Sequence, residues 1–193
     1  MDFGNVVGLV IPEGEVIQIT QLLNGQDEHL IYRLGTTKFT GNNYVNTGIN
    51  LCSYPAYTVL IDFQLSSVDA TGNMVLDNMK EESPWPGWSL DYNRYGELRF
   101  SDTSAQLKKI ANNLARNRIV IRCSGGEYTV FSANLENGGA GDVLDEDVGH
   151  SLYVGAYYNL GEISRYMTGV VYSLEIYDEA WSDEKCKTWR GQS

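Results

Sequence analysis

An alternation of apolar and polar residues with a period of two constrains this chain more than any other feature. In residues 57–65, Tyr57, Val59, Ile61, Phe63 and Leu65 fall on one face, while Thr58, Leu60, Asp62 and Gln64 fall on the other. An extended strand, whose successive side chains point to opposite sides, sorts residues in this way. One face is expected in a core and the other at least partly in water. The pattern recurs in residues 118–123, 128–131 and 151–158, and in 169–177, where Val170, Tyr172, Leu174 and Ile176 alternate with Val171, Ser173 and Glu175. Turn-forming clusters separate the runs: Asp69-Ala70-Thr71-Gly72-Asn73, Asn93-Arg94-Tyr95-Gly96, Ser124-Gly125-Gly126 and Asn137-Gly138-Gly139-Ala140-Gly141. With 20 glycines against 4 prolines, the turns are expected to be of the positive-φ hairpin kind. Many short strands without long helices between them predict an antiparallel sandwich or jelly roll and argue against a parallel α/β sheet.

Three segments depart from this pattern. Residues 104–116 place Leu107, Ile110 and Leu114 at helical spacing, yet their two asparagines and their position between strands suit a short strand and loop equally. Near the C-terminus, Ser182 is placed to cap a short helix, with Lys185 where a capping box would carry an acid. Residues 6–33 alternate around the turn Asn24-Gly25 and read as a small β element ahead of the main domain. The expected organisation is an N-terminal attachment element over residues 1–35 and a sandwich domain over 36–193.

Charge and cysteine usage exclude other classes. The 14 basic and 25 acidic residues leave a net charge of −11, which argues against nucleic acid, whose affinity comes from Lys and Arg displacing counterions. Cys52, Cys123 and Cys186 are odd in number and form no CxxC pair, so no disulfide framework is expected. The N-terminus lacks a basic region before its longest apolar run, Val6 to Ile11, so neither a signal peptide nor membrane insertion is expected.

A family resemblance adds to this reading. Lys38-Phe39-Thr40-Gly41-Asn42-Asn43-Tyr44-Val45-Asn46-Thr47-Gly48-Ile49 resembles the opening strands of concanavalin-A-like lectin/glucanase domains of the laminin-G type. Residues 57–65 resemble that family's following strand, and Ser151-Leu152-Tyr153-Val154-Gly155-Ala156 its "L-x-I-G-A" strand. The run from Met167 to Glu184 is similar to its closing segment. The resemblance implies a two-sheet antiparallel jelly-roll sandwich with a short N-terminal β element and a short C-terminal helix. Separately, Val7-Gly8-Leu9-Val10-Ile11-Pro12-Glu13-Gly14-Glu15-Val16-Ile17-Gln18-Ile19 resembles a short segment of bacteriophage virion proteins. That implies assembly in a host bacterial cytoplasm and a place in the virion.

Catalytic signals are thin. Hydrolases of this fold carry an ExDxxE run on one strand, which would set a nucleophile and an acid either side of a sugar bond, and no such run occurs here. His29 and His150 belong to no HExxH, GxSxG or triad pattern. Cys123 shares a face with Ile119 and Ile121 and reads as core, while Cys52 and Cys186 have no base near them in sequence. The acids of the loop Asp142-Val143-Leu144-Asp145-Glu146-Asp147 read as solvated charge, with calcium the alternative. No metal and no cofactor is expected.

Sugar recognition stacks an aromatic ring on a pyranose while amides and acids hold hydroxyls. Trp85, Trp88, Tyr92 and Asn93 form one candidate set, and Tyr157 with Asn159 a second, with Arg165 and Tyr166 across the loop. The resemblance gives Trp88 a competing reading as a core anchor and implies that Trp181, at the position of the family's buried leucine, is core. Tyr158 shares a face with Leu152 and Val154 and is expected inside, leaving Tyr157 as the exposed ring. The resulting expectation is a non-enzymatic virion surface or adhesion protein that binds bacterial or host glycans. It would attach to other virion proteins through its N-terminal element and act as a homo-oligomer. The alternatives are a structural decoration or connector protein and a glycan hydrolase with dispersed carboxylates.

Overall fold

The computed structural model describes residues 28–80, 86–102, 107–111, 114–125, 127–132 and 148–191. In chain order its strands are β1 (Leu30–Leu34), β2 (Thr37–Thr40), β3 (Val45–Asn46), β4 (Tyr57–Leu65), β5 (Asn73–Met79), β6 (Gly87–Tyr92) and β7 (Leu98–Asp102). They continue as β8 (Leu107–Ala111), β9 (Asn117–Ser124), β10 (Glu127–Phe131), β11 (Tyr153–Val154), β12 (Tyr157–Asn159), β13 (Glu162–Ser164) and β14 (Thr168–Tyr177), followed by the helix α1 (Asp183–Gly191). The first sheet runs β1-β14-β4-β9-β10, with β2 also paired to β14, and the second runs β3-β11-β5-β6-β7-β8. All pairings are antiparallel. The fold is the expected two-sheet sandwich with a short C-terminal helix.

The core lies between the sheets. Val59, Ile61, Phe63, Ile119, Ile121, Cys123, Leu174 and Ile176 from the first sheet meet Leu76, Trp88, Leu90, Tyr92, Phe100 and Val154 from the second. Burying this much aliphatic and aromatic surface is the main force holding the two sheets together. Burial also pushes the Cys123 thiol up to about 11, so it stays a neutral core group.

Several expectations are corrected by the packing. The outer face of β4 is mostly covered, with only Gln64 left half-buried: Leu60 joins Val120, Phe131, Tyr177 and Trp181 beneath α1. On the same face Thr58 donates to the Glu179 carbonyl at 2.7 Å and accepts from the Trp181 amide at 3.0 Å. In β14 a bulge between Val171 and Ser173 shifts the alternation by one residue. Val171, Leu174 and Ile176 consequently face the core, while Val170 and Tyr172 turn outward. The open choice over residues 104–116 resolves in part, because β8 is a strand paired with β7. Ser182 caps α1 as expected, its hydroxyl accepting from the Lys185 amide at 3.2 Å. Strand β1, expected in the N-terminal element, is hydrogen-bonded to β14 in the first sheet. The remainder of that element, the turn Asn24-Gly25 included, lies outside the described residues.

Candidate functional site

The outer face of the second sheet carries polar side chains in register. Tyr153 of β11 lies opposite Asp77 of β5, which lies opposite Ser89 of β6, which lies opposite Ser101 of β7. One row along, Asp91 lies opposite Arg99. Paired residues project to the same side, as do residues two apart on one strand, so these groups share one surface.

A two-stranded flap, β12 and β13, stands over this surface. It leaves the sheet at Gly155, whose φ of +79° suits glycine and where an added Cβ would lie 2.3 Å from the Phe39 ring. The bend there breaks the period of two. Tyr153 and Tyr158, five residues apart, therefore stack on the same side with centroids 4.7 Å apart and planes 8° from parallel. The expected roles of the two neighbouring tyrosines are thus reversed. Tyr157 is the buried ring, and Tyr158 is the half-open one. The flap is tied down where the Tyr158 amide donates to Asp77 Oδ2 at 2.8 Å.

The flap's return strand delivers Arg165 to the sheet. Its guanidinium and that of Arg99 both donate to a single oxygen, Asp91 Oδ2, with Arg99 at 2.7 Å. The Asp91 side chain is 3% exposed, whereas Arg99 and Arg165 keep 24% and 26%. Asp91 Oδ1 and the Nε groups of both arginines have no hydrogen-bond partner among the described residues. Arg165 adopts φ +50°, a strained setting for a side-chain-bearing residue, and its guanidinium lies 5.8 Å from the Tyr157 ring centre. Such a pair of planar forks, fixed by one buried carboxylate and still partly open to water, can receive a second carboxylate in parallel hydrogen bonds.

An aromatic shelf flanks this clamp. His150 meets Tyr158 and Tyr153 edge-on at 5.0 and 5.8 Å, and Tyr44 contacts Tyr153 and Tyr166 at 5.8 and 6.4 Å. The Tyr153 hydroxyl is pushed up, chiefly by burial, and receives a hydrogen bond from Asn46 Nδ2 at 3.2 Å. It therefore serves as a neutral hydrogen-bonding group.

The remaining candidates divide. Trp88 is fully buried, stacks on Phe100 at 5.8 Å and donates from Nε1 to the Tyr57 hydroxyl at 2.8 Å. Tyr92 is equally buried, with its hydroxyl accepting from Asn117 at 3.1 Å. Neither offers a face to a sugar, because alternation along β6 sends both inward and Asp91 outward. Asn93 braces the β6–β7 turn, its Oδ1 accepting from the amides of Tyr95 at 2.9 Å and Glu97 at 3.1 Å. Asn159 lies half-exposed on the flap, and Trp85 is outside the described residues. The candidate sets read from the sequence omit Asp77, Asp91 and Arg99; the signal for Arg99 was a lone cation between the inward residues Leu98 and Phe100.

A concavity of about 370 Å³ lies on the other sheet beside α1 and is lined by Trp181, Ser182, Glu184, Lys185, Thr188 and Trp189. Its rings are already covered by cations, Trp181 by Lys185 at 3.8 Å and Trp189 by Arg118 at 4.4 Å. The Asp142–Asp147 loop lies outside the described residues, and among the described residues no three His, Cys, Asp or Glu side chains gather closely enough to hold a metal.

No protein-family model matches the chain, and no curated protein is similar to it. Solved structures share its fold. The CBM40 carbohydrate-binding module of Ruminococcus gnavus IT-sialidase bound to α2,3-sialyllactose superposes with a TM-score of 0.63 at 10% identity, covering 83% of this chain and 98% of the module. The same module bound to α2,6-sialyllactose gives 0.58 at 10% identity, over 83% of this chain and 98% of the module. NanB sialidase from Streptococcus pneumoniae gives 0.63 at 14% identity, where 83% of this chain spans 28% of the longer enzyme. At these identities the likeness shows a lectin-like sandwich fold, and the site must be argued from this chain's own residues.

Proposed function

We propose that the chain is a carbohydrate-binding module that takes an acidic sugar on the outer face of its second sheet. The observation that carries this reading is the clamp, in which Arg99 and Arg165 converge on one oxygen of the buried Asp91. Asp91 orients both forks in advance, so a sugar carboxylate meets two guanidinium groups that need little reordering. Tyr158, backed by Tyr153, offers an aromatic face to the adjoining ring, and Ser89 and Ser101 line the floor. Sialyllactose, the glycan in the CBM40 structures, is an acidic oligosaccharide of this class. In this proposal weak single-site contacts are multiplied by several copies acting together.

The reading is non-catalytic. Asp77 and Asp91 share the face, but the first is engaged by the Tyr158 amide and the second by two arginines, which commits both carboxylates to positioning. A place in a bacteriophage virion, with attachment through the N-terminal element, is the setting proposed on the Val7 to Ile19 resemblance alone.

Titration calorimetry with 3′-sialyllactose against lactose tests the proposal. The chain should bind the acidic glycan and not the neutral one, and Arg165→Ala should abolish that difference while retaining the melting transition. Equal binding of both glycans, or of neither, would overturn it.

A further inference from the structure

Among the described residues, two that carry side chains adopt a positive φ, and both belong to the flap segment: Arg165 at +50° and Leu160 at +48°. Arg165 belongs to the clamp, and its strain has an evident use. Leu160 has no such use within the fold. It sits with Gly161, φ +96°, in the two-residue connection between the paired residues Asn159 and Glu162. Two positive φ values in succession make this a type I′ turn, whose first central position favours Asn, Asp or Gly. Leucine is poorly suited there, since its side chain crowds the backbone in the left-handed region. At 75% exposure it is also the most exposed of the large apolar side chains among the described residues. Strain and exposed apolar surface in one residue both oppose folding, and such outliers gather where a ligand is handled.

Resting on the acidic-sugar reading above, we infer that Leu160 is a specificity-determining contact that receives the apolar face of a neutral sugar further along the same glycan. The flap supplies the geometry. Its three residue pairs, Tyr157 with Ser164, Tyr158 with Ile163 and Asn159 with Glu162, separate the turn from Arg165. At a strand rise of about 3.3 Å per residue, the tip stands about 10 Å from the base of the flap, a distance comparable to a disaccharide. Tyr158 lies midway. The flap therefore spaces three contacts between its base and its tip: a charged group at Arg165, a ring at Tyr158 and an apolar side chain at Leu160. That order selects an acidic oligosaccharide over a single acidic sugar.

The test compares N-acetylneuraminic acid with 3′-sialyllactose by titration calorimetry on the full chain and on Leu160→Asn, with melting temperatures for both. Asparagine accepts the left-handed conformation, so the variant should melt about 2–4 °C higher. It should bind the trisaccharide about three- to tenfold more weakly, through loss of apolar contact, and bind the monosaccharide within twofold of the parent. Leu160→Met should retain the trisaccharide preference. Unchanged trisaccharide affinity in Leu160→Asn, equal weakening toward both sugars, or a lower melting temperature would overturn the inference while leaving the clamp reading standing. If the parent chain binds neither acidic sugar, the clamp reading fails and this inference with it.

Discussion

The outer faces of the two sheets each hold a buried aspartate between two arginines, and the two clusters are built differently. At Asp62, on the first sheet, Arg116 engages both carboxylate oxygens, Nε to Oδ1 at 2.6 Å and Nη2 to Oδ2 at 2.7 Å. Arg118 stands 3.5 Å away, and the Arg116 guanidinium lies over the Tyr172 ring, 4.0 Å from its centre. That fork is spent on its own carboxylate and ring. At Asp91, on the second sheet, two arginines crowd one oxygen, and the other oxygen has no hydrogen-bond partner among the described residues. The first arrangement closes on its own carboxylate, whereas the second leaves one carboxylate oxygen unpaired beside two arginines whose side chains keep about a quarter of their exposure. Residue types alone do not separate a structural ion pair from a binding site; the pattern of engaged atoms does.

The largest expected effect follows from removing the carboxylate at the open cluster. Asp91→Ala leaves two cations crowded together and should destabilise the chain by about 3 kcal/mol, the low end for breaking a buried pair because both arginines keep some water contact. Arg116→Ala at the closed but more exposed cluster should cost under about 1 kcal/mol. Urea unfolding of both variants checks the ranking, and equal losses would erase the distinction between the clusters.

Next in size is a binding effect. Arg99→Ala or Arg165→Ala should weaken 3′-sialyllactose about thirtyfold, the equivalent of about 2 kcal/mol, whereas Arg116→Ala should leave affinity unchanged. Surface plasmon resonance on immobilised glycan measures both. A loss in Arg116→Ala as large as in Arg165→Ala would place the ligand on the wrong sheet. Tyr158→Ala should be milder, about fivefold, in keeping with one aromatic contact, and Tyr158→Phe should retain most of the affinity.

The sandwich was readable because its strands alternate cleanly: the inward sets of β4 and β9 fall where period two puts them. The site was readable only in pieces. Tyr157, Asn159 and Arg165 were marked by polar surroundings, yet which tyrosine faces out depends on the bend at Gly155, and a one-residue change of phase carries no signal in hydropathy. The bulge in β14 hid the outward turn of Tyr172 for the same reason. Trp88 and Tyr92 were misleading because aromatic residues beside a turn look alike whether they point into a core or out of it. Arg99 and Arg165 are separated by 65 intervening residues, and only the register of β6 with β7 and the path of the flap bring them to one oxygen.

The smallest expected effect belongs to the closed side and would show the two faces to be independent. His29, in the turn just before β1, contacts Asp178 through Nδ1 at 3.0 Å, with Glu179 3.9 Å and Glu28 3.8 Å from Nε2. The Asp178 hydrogen bond, and the charges of Glu179, Asp178 and Glu28 behind it, raise the imidazole above its ordinary 6.5 despite some desolvation. A raised folded-state value means that the protonated ring favours the folded chain. That contribution is fully present below pH 6.5 and is lost as pH climbs through the raised value. The parent should therefore lose a small increment of stability between about pH 6 and pH 8 that His29→Ala does not lose, measured as the difference in urea midpoints at the two pH values. The ring is well exposed, so added salt should shrink the increment. His29→Ala should bind 3′-sialyllactose as the parent does, because β1 lies in the first sheet and the clamp in the second. A pH-independent difference in midpoint would remove the titration argument, and a loss of glycan affinity would show that the two sheets do not act separately.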